Sequence, residues 1–220
     1  MKGFMVKEWC LLKEFRKLMA IIIFVSVILT FSGSDVSFVV GYIVVLMAMV
    51  AGMSIAYDEA NGGMTFLMTL PATRKQYVIS KYVFGLVLFF FSCLYAVILQ
   101  VFYYMVYPSR LDMKFTLTLV SAMILIGIIS ISVSIPVELK FGGEKGRIIF
   151  IILVMGIALA AVFIGKMMRK MDSELARTWI HRLNLLFTGK MFPVYCILAS
   201  AIIMAVSILV SIWIIQKKEF

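Results

Sequence analysis

A single histidine, His181, is all the imidazole this 220-residue sequence carries. One histidine cannot build a histidine-based metal centre, and no serine or cysteine stands with it and an acid in a credible triad. An intramembrane protease is therefore disfavoured, and no metal site is expected. Cysteine is nearly as scarce: Cys10, Cys93 and Cys196 fall in a terminal segment and two apolar runs, so no disulfide framework is expected. Charged residues make up 15% of the chain, against about 25% in soluble domains. The interiors of the long apolar runs contain no Asp, Glu, Lys, Arg or His. Proton and sodium relays depend on such buried ionisable groups, so ion-coupled transport is disfavoured. A phosphate loop is missing too. That motif ends in Gly-Lys-Ser/Thr, but here Gly146 precedes Arg147-Ile148, and Gly189-Lys190 precedes Met191. The chain is expected to bind no nucleotide or other cofactor itself.

What is present is apolar: 64% of the residues are hydrophobic and the mean hydropathy is +1.09. Six runs, at 18–31, 36–57, 82–107, 115–137, 148–165 and 193–215, are read as membrane spans, since crossing the hydrocarbon takes about 20 apolar residues. The expected fold is an all-α polytopic membrane protein forming a single domain over residues 1–220. The first run is short, so its helix is expected to continue out of the segment before it. That segment lacks a small-residue cleavage site, and no removable leader is expected. The third run is long and should tilt or project.

Residues 1–17 read as an interfacial helix on an anionic leaflet. Phe4, Met5, Trp9, Leu11, Leu12, Phe15 and Leu18 share one face, and Lys2, Lys7, Lys13, Glu14 and Lys17 the other. Glu8 falls inside the apolar arc and breaks the pattern. The net charge of +10 sits mostly in segments flanking the spans, where it orients a membrane protein rather than binding nucleic acid. With both termini inside, the inner segments carry 13 of the 21 lysines and arginines and the outer ones 8. The positive-inside rule thus places both termini in the cytosol, although the loop at 166–192 holds six of the outer charges.

The stretch 57–81 is more structured than an ordinary loop. Asn61-Gly62-Gly63 is turn chemistry, residues 64–70 have room for two turns of helix, and Pro71 stops it. Thr73 and Gln76 stand at capping-box spacing before a new helix, with Ala72 and Tyr77 placed as a staple pair. Glu59, then Leu70-Pro71-Ala72-Thr73-Arg74, Tyr77 and Lys81, resembles the cytosolic loop of small bacterial permeases of the type-2 ABC transporter family. The second inner loop, 138–147, with Pro136, Phe141-Gly142 and Glu144-Lys145-Gly146-Arg147, resembles that family's second cytosolic contact. The resemblance extends over most of the chain.

The resemblance implies a transporter permease of the bacterial cytoplasmic membrane rather than an enzyme. It implies a separate ABC ATPase in two copies, which holds ATP and Mg, and a second copy of this chain. Contact with the ATPase is assigned by it to Glu59, Met64, Phe66, Leu67, Leu70, Pro71, Thr73, Arg74 and Tyr77, and to Phe141, Gly142, Lys145 and Arg147. Small permeases of this kind export amphipathic cargo, a toxin or antimicrobial peptide being the first expectation and drugs or lipids the next. The substrate-binding subunit of an energy-coupling vitamin importer also has about six spans, but needs polar pocket residues that are few here. A non-transporting immunity or sensor subunit is a third possibility.

Remaining features have a plain reading and a sharper one. Residues 172–189 read as an amphipathic outer helix, with an apolar stripe from Leu175 to Phe187; it either covers helix ends or dips into the outer leaflet. Small residues recur four apart at Ala48, Gly52 and Ala56, at Gly156 and Ala160, at Ala161 and Gly165, and at Ala201 and Ala205. Such rows let helices approach closely, within one chain or at a homodimer seam, for which Gly156, Ala160 and Gly165 are the candidates. Gln100 and Ser121, Ser130, Ser132 and Ser134 are the main polar groups of the spans, more readily bonded to backbone than to substrate. Phe89, Phe90 and Phe91 read more readily as lipid-facing than as cargo contacts.

Overall fold

The computed structural model describes residues 2–32, 35–60, 62–69, 73–106, 113–170 and 192–218. These form seven helices: α1 (Lys2–Phe31), α2 (Val36–Ala60), α3 (Gly63–Thr69), α4 (Arg74–Val106), α5 (Met113–Phe141), α6 (Gly143–Lys170) and α7 (Phe192–Lys217). Among the described residues there is no strand. Five helices are long and apolar enough to cross a membrane: α2, α4, α5, α6 and α7. The sixth run, 18–31, is the second half of α1, directly preceded by Glu14, Arg16 and Lys17.

α1 is one unbroken helix of 30 residues, about 45 Å long at 1.5 Å per residue. No joint separates its first 17 residues from its apolar half: the helix of the short first run continues out of the segment before it. Nor does its apolar face rest wholly on lipid. Phe4 and Leu11 are buried within the chain, while Trp9 is exposed. α4 begins at Arg74, well before the expected span at 82–107, and its 33 residues project beyond the hydrocarbon thickness.

α2 and α5 form the centre, with α1, α4, α6 and α7 around them. Ile43, Val50, Ile131 and Ile135 are closed off from the surroundings. The small-residue row of α2 serves contacts inside the chain. A Cβ on Gly52 would lie 2.4 Å from Ser134 Oγ, and one on Gly143 2.8 Å from Ala56 Cβ. α6 is the outlier: most of its side chains are exposed, Ile152, Met155, Leu159 and Phe163 among them.

The expected second inner loop at 138–147 does not exist as a loop. α5 runs to Phe141, with Pro136 inside it, and α6 starts at Gly143. A single residue, Gly142, joins them at φ +82°. A left-handed residue after the last helical turn is the usual way to stop a helix, and glycine adopts it without a Cβ clash. The amide of Gly142 donates to the Glu138 carbonyl at 3.0 Å, as that ending requires.

Hydroxyls tie the helices together. Ser121 and Ser130 donate to carbonyls of their own helix. Ser207 of α7 donates to the Ser132 carbonyl of α5 at 2.6 Å and pairs with the Tyr82 hydroxyl of α4 at 2.5 Å. Phe90 and Phe91 are exposed on α4, whereas Phe89 packs inward against α5.

Candidate functional site

α3 lies between α2 and α4 and is amphipathic in a literal sense. Met64 is buried in one cluster with Phe4, Ile55, Tyr77 and Tyr82, and Leu67 packs on its edge. Phe66 faces outward, 67% exposed. The three apolar residues of α3 assigned to the coupling contact thus divide: Met64 and Leu67 face the core and Phe66 faces outward. Leu70 and Pro71 lie outside the described residues, as do Ala72 and the amphipathic segment 172–189.

α4 then starts as its spacing predicts. The Gln76 amide donates to Thr73 Oγ1 at 3.3 Å, and the Thr73 amide donates to Gln76 Oε1 at 3.4 Å. This reciprocal pair satisfies two otherwise unpartnered amides. Next to it, Arg74 reaches α7 and donates to the carbonyls of Ile215, Gln216 and Lys218 at 3.0–3.2 Å. A cation on the carbonyl end of a helix complements its dipole.

Behind α3 sits a buried set of charges. Lys81 of α4, fully buried, donates to Glu8 Oε1 of α1 at 2.5 Å and to Ser54 of α2, and lies 2.8 Å from Asp58 Oδ2. The same Asp58 oxygen accepts from the Tyr77 hydroxyl at 2.9 Å, and Lys7 pairs with Asp58 Oδ1. Two ammonium groups and two carboxylates therefore balance. Neutrality matters because an unpaired charge in such a place costs several kcal/mol, roughly 3–5 when one partner is removed. Burial holds the Lys7 ammonium below its ordinary range, and neighbouring Lys81 lowers it further, while Asp58 and Glu8 partly offset both. Lys81 also stands over the Tyr77 ring, 5.3 Å from its centroid.

A second set lies at the junction of α2, α5, α6 and α7. Glu59 Oε2 accepts from the Gly143 amide at 2.9 Å, placing an anion on the start of α6 where the helix dipole favours it. Its other oxygen takes Lys218 at 2.8 Å, and Lys218 also donates to the Leu139 carbonyl. Glu138 is buried between Gly52 and Gly146. A Cβ on Gly146 would meet its Oε2 at 2.6 Å, and one on Gly142 would meet Glu59 Oε2 at 2.5 Å. Of the residues assigned to the second contact, Phe141 and Lys145 are exposed, Arg147 is half-buried beside Glu59 and Gly142 is buried.

One end of the bundle is thus a knot in which α1, α2, α4, α5, α6 and α7 are joined by ion pairs and caps. α3 is seated directly on it. Met64 of α3 shares its cluster with Tyr77, whose hydroxyl bonds Asp58, so α3 is linked through Asp58 and Lys81 to Glu8 and thus to α1, α2 and α4. Among the described residues no group of acids, cysteines and histidines is placed to hold a metal.

The model of a family described as "ABC-2 family transporter protein" matches residues 3–216. The chain belongs to this ABC-2 transporter family. A comparison with curated proteins found no match. The family match covers nearly all of the permease, from the start of α1 to the end of α7, and makes it the membrane component of an ABC transporter.

Reading the sequence alone missed the buried charges of the permease. Lys7 and Glu8 precede the first apolar run, Asp58 and Glu138 directly follow the second and fourth, and none of the four carries a motif of its own. Glu8 did give a signal: a carboxylate on the apolar face of a helix needs a buried cation opposite, and Lys81 is that cation.

Proposed function

We propose that the permease is the membrane half of an exporter of amphipathic cargo, a peptide before a drug or a lipid. Two copies pair with each other and with two copies of a separate ATPase, which supplies ATP and Mg. Residues 18–31 of α1 serve as the sixth span, and both termini face the cytosol of a bacterial cell, in line with the distribution of lysine and arginine. The ATPase seats against α3 through Phe66 and takes a second contact from Lys145 and Arg147 at the α5–α6 junction. Glu59, Thr73, Arg74, Tyr77 and Gly142 hold these contacts at a fixed angle to the spans. Closure of the ATPase dimer pushes α3, and the knot passes the movement to α1, α2 and α4. The two copies meet through α6, whose exposed apolar face includes Gly156, Ala160 and Gly165. A path lined by such faces and a few hydroxyls suits an amphipathic molecule.

The observation that carries this reading is the division within α3. An exposed phenylalanine on a helix whose other side is anchored in the core is apolar surface held out for a partner. Substituting Phe66→Asp puts a charge into that contact, where burial without a partner is strongly unfavourable. The variant should keep its fold, because Phe66 is exposed, but lose the ATPase on co-purification and lose ATP-driven transport in vesicles. Normal assembly and transport by Phe66→Asp would remove α3 as the coupling element. Supplying peptides, drugs and lipids separately to the wild-type complex decides the cargo.

A further inference from the structure

At the same end of the bundle, on its flank, α5 and α7 leave a groove of about 480 Å³ between their last turns. Pro136, Lys140 and Phe141 of α5 line it together with Val210, Trp213 and Lys217 of α7 and the following Lys218. No acid lines it. Lys218 is committed to Glu59. Lys140 and Lys217 instead stand over aromatic rings, 5.1 Å from the centroid of Phe141 and 4.1 Å from that of Trp213. Among the described residues neither has a carboxylate in ion-pairing range. Nor are they needed to cap helix ends. Arg74 takes the last carbonyls of α7, and Lys218 takes that of Leu139.

The apolar wall does not stop at the groove. Ile202, Val206 and Leu209 continue it along the exposed side of α7, into the part of the helix that crosses the membrane. Tryptophan and lysine at the end of such a helix mark the level of the lipid headgroups. A ligand that fits is therefore apolar along one end and anionic at the other, and it lies in the plane where phospholipids lie. We infer that this groove is a binding site for an anionic phospholipid, its phosphate between Lys140 and Lys217 and one acyl chain against Val210 and Trp213. An acidic segment of a protein would match the lysines but not the long apolar strip beyond them. The site is independent of which cargo the permease moves.

Trp213 reports on it directly. In a Trp9→Phe, Trp179→Phe background, full-length permease is placed in symmetric nanodiscs containing brominated phosphatidylglycerol or brominated phosphatidylcholine as a minor component. Symmetric discs make the result independent of orientation. Lysines beside anionic lipid favour it, so quenching of Trp213 should show a preference for phosphatidylglycerol on the order of tenfold. Lys140→Gln with Lys217→Gln should abolish the preference. Val210→Phe, which fills the groove and leaves both lysines, should reduce it several-fold. Inorganic phosphate at millimolar concentration should not compete, since it lacks the apolar part. Equal quenching by the two lipids overturns the inference. So does a preference unaffected by Val210→Phe, which would mean attraction to the surface in general, and so does displacement by phosphate alone. Protection of Trp213 by an acidic peptide without any lipid preference would assign the groove to a protein partner and equally overturn it.

Discussion

Lys81 of α4 donates to Glu8 of α1 at 2.5 Å, across 73 residues of sequence and with neither side chain open to the surroundings. Pairs of this kind add little net stability when both charges are present, but their halves cannot stand alone.

Lys81→Met should accordingly destabilise the permease by about 3–5 kcal/mol, because Glu8 and Asp58 are left buried with Lys7 as their shared cation. Glu8→Leu combined with Lys81→Met should recover most of that loss, since Lys7 and Asp58 still balance each other. Thermal unfolding of the detergent-solubilised variants, followed by tryptophan fluorescence, measures both. A single variant as stable as wild type would show that the pair is not buried as described.

Gly142 is the only link between α5 and α6, and its φ of +82° disfavours any side chain. Gly142→Ala should cost about 1–2 kcal/mol for the left-handed backbone. The added methyl should also press on Glu59, which caps α6 and holds Lys218. The same unfolding assay reads the stability. Coupling is read separately, as ATPase stimulation by cargo in the assembled transporter. Loss of stability without loss of coupling would make Gly142 a folding residue alone.

Topology can be checked with single cysteines in a background lacking Cys10, Cys93 and Cys196. Thr73→Cys and Lys145→Cys, both at exposed positions, should label only from the cytosolic side. Ser109→Cys and His181→Cys should label from outside. Cysteine at position 142 is a poor probe because Gly142 is buried. External labelling at 145 would reverse the proposed orientation.

A Cβ on Gly156 would meet nothing in its own chain within 4 Å, and the same holds for Gly165. Gly156→Leu should therefore leave the fold of one copy intact. If α6 is the seam, the bulk should weaken association of two copies, seen as a shift from dimer to monomer in light scattering after chromatography. An unchanged dimer would move the seam to another helix.

The capping box at Thr73 and Gln76, the short helix between Gly62-Gly63 and Pro71, and five of the apolar runs were legible because each is written locally. Cap spacing, turn residues and an uninterrupted apolar stretch constrain the backbone within a few residues. The order of these signals also carried the family resemblance. Tertiary structure alone decided which charges are buried. Lys81 and Asp58 stand at the edges of apolar runs and look like solvated flanks. They become interior groups only because α1 crosses them and brings Glu8 and Lys7. Likewise the glycines of 142–146 read as a loop, whereas Gly142 alone is the joint, packed against Glu59, and Gly143 and Gly146 lie in α6. Which apolar side of α3 faces out was undecided in the same way. Met64 and Phe66 are both hydrophobic, and only the position of Phe4 and Tyr77 determines that Met64 is covered and Phe66 is not.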